Sequence, residues 1–144
     1  GGEIGMTGVT SPNDGFVRQD FPGGWTSDPL NKFTDAGRTE NEREIWNHVA
    51  RLANYRKGSS ALTTGKMMQF VPENGVYVYF RYNDKQTVMV VMNTAKEKKN
   101  VDIKRFAERI KDFSRAKNIH TGSMGELIDF SLDSYESAVF ELLK

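Results

Sequence analysis

Asp14 and Arg18 set a carboxylate and a guanidinium four residues apart in Asp14-Gly15-Phe16-Val17-Arg18, with an aromatic ring between them. A carboxylate accepts hydrogen bonds and a guanidinium donates several, so the pair could clamp a hydroxyl-rich ligand beside an apolar surface. The same two charges also suit an intramolecular salt bridge, and the residues alone leave both readings open. Tyr77, Tyr79 and Tyr82 could stack on sugar or base rings, although a strand face packed on a neighbour is the commoner use of such a set. His48 and His120 lie in different elements with no second ligand at metal-binding spacing, so neither a metal site nor a cofactor is expected. Gly2-Glu3-Ile4-Gly5-Met6-Thr7-Gly8 echoes a dinucleotide loop only superficially, because no strand precedes it and no helix follows. No Gly-x-Ser-x-Gly elbow or phosphate-binding Gly-x-x-x-x-Gly-Lys loop occurs, and Lys96-Glu97-Lys98-Lys99 reads as a solvated hairpin tip.

The elements that must hold these residues divide sharply in composition. Between Gly1 and Arg38 lie eight of the 13 glycines and three of the four prolines, which is loop chemistry. Unlike a tether, this stretch carries Phe16, Phe21, Trp25, Leu30 and Phe33, apolar groups that need a surface to bury against. Thr39-Glu40-Asn41-Glu42 then forms a capping box, and Ile45, Val49, Leu52 and Ala53 recur at helical spacing, predicting a helix over Glu40 to Lys57 with Gly58 as a left-handed cap. From Lys66 the period becomes extended, with strands predicted over 67–71, 76–82, 87–92, 100–103, 127–131 and 138–143. Residues 104–112 suit a helical turn or two, and 116–120 suit another short strand. This spacing suggests a sandwich or Greek-key barrel. Val76 to Phe80 and Val88 to Met92 are apolar on both alternating faces, so a further domain or chain is expected on the outer face.

A chain of 144 residues, 38% hydrophobic and 27% charged, suits about one soluble domain. A net charge of +1 provides no footprint for nucleic acid or an anionic membrane, and no apolar run reaches spanning length. Zero Cys excludes thiolate metal sites and thiol catalysis, and fits a reducing cell interior or a bridge-free periplasmic protein.

Several motifs then occur in a telling order: Gly2-Glu3-Ile4-Gly5-Met6, Asp14-x-x-x-Arg18, Asp20-Phe21-Pro22-Gly23-Gly24-Trp25, Gly37-Arg38-Thr39 and Leu52-Ala53-Asn54-Tyr55-Arg56-Lys57. Together they resemble the C-terminal end of an alpha-amylase superfamily glycoside hydrolase, of the neopullulanase and cyclomaltodextrinase branch. The resemblance implies a mainly β fold: a C-terminal Greek-key β-sandwich over residues 61–144, preceded by a long loop and one helix from the last βα unit of a (β/α)8 barrel over residues 1–60. It implies a parent enzyme, bacterial and periplasmic or cytoplasmic, that hydrolyses α-glucans with retention through carboxylates on earlier barrel strands. None of those carboxylates lies in this sequence, so the chain alone is expected to be inactive, with no catalytic residue of its own. Asp14 and Arg18 match the family pair that contacts a glucose unit, while Glu3 matches a structural Glu at the end of the eighth strand. Asn13-Asp14-Gly15 departs from the Asp-Pro of many relatives.

The expected partners are an α-glucan oligosaccharide or polysaccharide and the barrel itself. Without the barrel, a second copy of the chain is expected to hold the aromatic loop, by domain exchange or lattice contact. The competing expectation is a stand-alone β-sandwich that binds carbohydrate or protein without enzymatic activity. Such a module should not leave Phe21, Trp25, Phe33 and Trp46 seeking a surface.

Overall fold

The Thr39 amide donates to Glu42 Oε2 at 2.9 Å, and the Glu42 amide donates to Thr39 Oγ1 at 3.4 Å, so the predicted box opens helix α1 (Glu40–Gly58). These bonds belong to a computed structural model that describes residues Gly1–Lys144. Lys32 also bonds to Glu42, and with the Thr39 amide it holds the Glu42 carboxyl below its ordinary value of 4.5. A depressed carboxyl stabilises the fold above its unfolded pKa, and the contribution disappears as pH falls through the lower folded value. Acid unfolding should therefore steepen below about pH 4.5. Glu42→Gln is expected to flatten that limb in a pH series of urea titrations, and an unchanged limb would refute the assignment.

At its other end α1 departs from expectation. Gly58 is helical rather than left-handed, and the chain turns at Ser59, which is extended and whose amide donates to the Arg56 carbonyl. Ser59 Oγ accepts from the Leu62 amide at 3.3 Å, so it caps the short helix α2 (Ser60–Thr63) that follows at once.

The chain forms two compact units, Gly1–Arg51 and Leu52–Lys144, and the division falls within α1. The second unit holds eight strands: β1 (Lys66–Gln69), β2 (Val76–Tyr82), β3 (Thr87–Asn93), β4 (Lys99–Val101), β5 (Arg115–Asn118), β6 (Met124–Glu126), β7 (Phe130–Leu132) and β8 (Ser137–Leu143). Six of them form a sheet in the order β1-β2-β3-β8-β5-β6, β4 pairs with β7 separately, and every pairing is antiparallel. The fold is thus mainly β, as expected. Residues 103–110 form a 3-10 turn leading into helix α3 (Ala107–Ile110), where a helical turn or two was predicted.

Alternation along β2 sets the layers. Val78 and Phe80 point into a core with Met89, Val91, Phe106 and Leu132, which fills the space between the large sheet and the β4–β7 pair. Val88, Val90 and Val139 form a second cluster on the opposite face, covered by Leu52 and Tyr55 of α1 and by Ala61 and Leu62 of α2. Covering the outer face thus needs no further chain at these positions, because the end of α1 and α2 already lie over them. One strand prediction fails and one strand, β6, was not predicted. Residues 127–131 do not form one strand: β6 ends at Glu126 and β7 begins at Phe130. All three β6 residues are exposed, so no buried face imprinted an alternation on Met124-Gly125-Glu126.

A polar network ties the last turn of α1, which belongs to the second unit, to the sheet. Gln86 Oε1 accepts from Ser59 Oγ at 2.6 Å and from the Ala61 amide at 3.2 Å, while Gln86 Nε2 donates to Glu141 Oε1 at 2.7 Å. The Tyr55 hydroxyl donates to the other Glu141 oxygen at 3.1 Å. Burial, followed by the Glu141 charge and this hydrogen bond, pushes the Tyr55 phenol above its ordinary value of 10.0. A raised phenol pKa contributes stability below the unfolded value that is lost as pH rises beyond it. The unfolding free energy should therefore fall above about pH 10, and Tyr55→Phe should remove much of that fall. An equal alkaline loss in the variant would refute the role given to Tyr55.

Candidate functional site

Asp14 and Arg18 are carried by a single 3-10 turn, Asp14–Val17, in the first unit. Asn13 is extended, and its Oδ1 accepts from the Gly15 amide at 2.9 Å, which starts the turn. The Arg18 amide closes it on the Gly15 carbonyl at 3.1 Å. The departure from Asp-Pro therefore supplies a cap: Asn13 fixes the backbone that presents Asp14. Both side chains are exposed and no ion pair joins them, so the intramolecular salt bridge is not formed. Phe16 and Val17 between them are exposed as well. A free carboxylate, a free guanidinium and an apolar rim lie within one turn, a set able to bond to sugar hydroxyls while an apolar surface meets ring C–H groups.

The following segment is shaped by contacts that exclude side chains. Gly23 and Gly24 have φ of 114° and 107°, and a Cβ on Gly23 would sit 2.5 Å from Asn31 Oδ1. Asn31 presses on Gly37 too, since a Cβ there would lie 1.8 Å from the Asn31 carbonyl oxygen. Asp-Phe-Pro-Gly-Gly-Trp and Gly-Arg-Thr are thus two walls of one slot around Asn31. Lys32 donates from its amide to the Pro22 carbonyl at 2.9 Å, and the Phe21 and Phe33 rings meet at 4.4 Å between centroids. Next to this slot, buried Arg38 lies 4.1 Å over the Trp46 ring.

Trp25 remains 80% exposed, with its amide donating to Asp28 Oδ2 at 3.0 Å. It borders a shallow groove with Phe21, Pro22, Asp28 and Leu30. From the sequence Trp25 stands out as an apolar group seeking a surface and as the end of the Asp-Phe-Pro-Gly-Gly-Trp motif, not as the rim of a groove. Its tie to Asp28 has a local signal in hindsight, an Asp three residues on that can cap a turn.

Elsewhere the candidates separate. His48 and His120 fall in different units, and each has an interaction partner. In the 96–99 run, Lys99 pairs with Glu97 at 2.7 Å and Lys98 with Asp133 at 3.3 Å. No group of three or more His, Asp or Glu is placed to hold a metal ion, and no helix is long and apolar enough to cross a membrane.

Residues 67–141 match the family model described as the cyclo-malto-dextrinase C-terminal domain. The alpha-amylase of Geobacillus thermoleovorans, solved with acarbose, is similar over 99% of this chain at 18% identity and a TM-score of 0.67. AmyP, solved with maltose, is similar over 73% at 23% identity and a TM-score of 0.64. The trehalose-6-phosphate hydrolase of Bacillus licheniformis is similar over 82% at 18% identity and a TM-score of 0.58. The chain spans 28%, 21% and 22% of those three structures, respectively.

Proposed function

The chain belongs to the cyclo-malto-dextrinase C-terminal domain family, and from that membership we propose that it is the C-terminal portion of an α-glucan-degrading glycoside hydrolase. The parent enzyme hydrolyses α-1,4 or α-1,6 glucosidic bonds in maltodextrin, cyclodextrin or pullulan, as neopullulanases and cyclomaltodextrinases do. Residues 1–60 complete its (β/α)8 barrel as the loop after the eighth strand and the eighth helix, and residues 61–144 form the appended sandwich. This portion contributes no catalytic carboxylate. It stabilises the barrel and presents Asp14 and Arg18 to a glucosyl unit, on the barrel face where βα loops build sites.

The observation that carries the reading is the extent of the family match, which runs from β1 into β8 directly behind the ordered series of loop and helix motifs. Exposure adds support. Trp25 at 80% and Phe33 at 55% are the groups a self-sufficient module would cover, and a barrel surface would bury them.

The test is an assay of the whole protein on β-cyclodextrin, pullulan and maltotriose beside residues 1–144 alone. Hydrolysis of at least one substrate by the whole protein and of none by the shorter chain is expected. Failure of the whole protein on all three, or activity in residues 1–144 alone, would overturn the proposal.

A further inference from the structure

The outward side chains of β2 have three different fates. Arg81 Nη2 donates to the Gly65 carbonyl at 2.9 Å, and Tyr79 packs against the cluster beneath α2. Tyr77 belongs to neither apolar cluster. Its ring is nevertheless held on two sides: the Tyr79 ring lies 5.8 Å away at a 36° tilt, and the Tyr77 hydroxyl donates to Gln69 Oε1 at 2.7 Å. An aromatic ring fixed in place yet used by no core is a ready contact surface.

Beside it the chain leaves β1 through Phe70, Val71 and Pro72, and with Gln69 and Tyr77 these residues line a groove of about 450 Å³. That size lies within the range of small-ligand sites, about 300–1,000 Å³. None of the lining side chains is charged. Arg105, which donates to the Val71 carbonyl at 2.6 Å, is paired with Glu73 at 3.1 Å and brings no free charge to the groove.

We propose that this groove is a saccharide-binding site in which Tyr77 stacks beneath a glucosyl ring of a neutral α-glucan and Gln69 bonds to its hydroxyls. The lining chemistry selects the ligand. A phosphate or a charged peptide would find no opposite charge here, whereas a pyranose offers C–H groups to the ring face and hydroxyls to an amide that both donates and accepts. A Pro-rich peptide is the rival occupant, but such grooves present several exposed aromatic rings and Tyr79 is committed to packing. The groove belongs to the second unit, whereas the Asp14–Arg18 turn belongs to the first. The identity of the sugar rests on the α-glucan reading above.

Affinity electrophoresis of the whole protein in native gels containing amylopectin tests the site. Tyr77→Ala should raise the apparent Kd for amylopectin about tenfold, and Tyr77→Phe, which keeps the ring, about two- to threefold. Val71→Asp puts a carboxylate on an exposed rim position without touching either core, and should also weaken retardation about tenfold if Tyr77→Ala proves unstable. Retardation equal to wild type in folded Tyr77→Ala or in Val71→Asp overturns the site. So does a decaproline peptide whose binding is lost in Tyr77→Ala when retardation by amylopectin is not. A wild-type protein that hydrolyses maltotriose but is not retarded sinks this site alone. Retardation lost in Tyr77→Ala, in a protein that hydrolyses no α-glucan, upholds the site and sinks the enzymatic reading.

Discussion

Arg18→Ala in the whole protein is expected to lower kcat/KM on maltooligosaccharides about a hundredfold. A hydrogen bond to a charged group contributes about 1.5–3 kcal/mol, and about 2.7 kcal/mol corresponds to a hundredfold in rate. The structure makes the result diagnostic. Neither Asp14 nor Arg18 has an ion-pair partner, so removing the guanidinium should leave the melting temperature within a degree or so of wild type. A structural salt bridge would show the opposite pattern, with lost stability and retained activity. Asp14→Ala should lose a similar factor, and the double variant should lose less than the product of the two, because the proposed function has both residues address one glucosyl unit. If kcat/KM stays within threefold of wild type in both single variants, the turn has no role in substrate binding.

Asn93→Ala should destabilise the second unit by about 3 kcal/mol, the largest stability loss expected from a polar residue in this chain. Asn93 ends β3 at 2% exposure. Its Nδ2 donates to the Glu97 and Asp133 carbonyls at 2.8 Å each and to the Leu132 carbonyl at 3.3 Å, while Oδ1 accepts from the Ala95 amide at 2.9 Å. One side chain thus closes the turn after β3 and fastens the large sheet to the end of β7 in the small one. Removing it strands the buried Leu132 carbonyl, at about 1–3 kcal/mol for an unsatisfied buried group, and breaks the part-buried bonds that hold the turn. Urea unfolding followed by tryptophan-independent far-ultraviolet dichroism measures the change. Asn93→Asp should fare no better, since a carboxylate replaces the donors with acceptors. A loss below about 1 kcal/mol in Asn93→Ala would show that solvent or a shifted turn satisfies those carbonyls.

Much of the framework was legible because it is written at short range. Thr39 and Glu42 are three residues apart, and a capping box needs only those two side chains and the intervening backbone, so the start of α1 followed from sequence. The period-two runs of β2 and β3 did the same, since a residue's face on a strand is set by its parity. Asp14 and Arg18 were also visible, because a one-turn loop keeps near in space what is near in sequence.

The rest depended on partners that local patterns cannot name. Parity showed that both faces of β3 are buried, but the cover over Val88 and Val90 comes from Leu52, Tyr55, Ala61 and Leu62, which only the folded chain brings there. Gly58 looked like a left-handed cap, yet Ser59 takes over because its hydroxyl must reach both Leu62 and Gln86. β6 left no alternation because no face of it is buried, and it exists by pairing with β5. Tyr77 and Tyr79 are identical residues at adjacent outward positions, and packing alone separates a ring that joins an apolar cluster from one that joins neither. Local sequence carries propensity, parity and caps. Which face meets which neighbour is settled by contacts such as Tyr55 to Glu141, 86 residues apart, whose energies exist only once the chain has closed on itself.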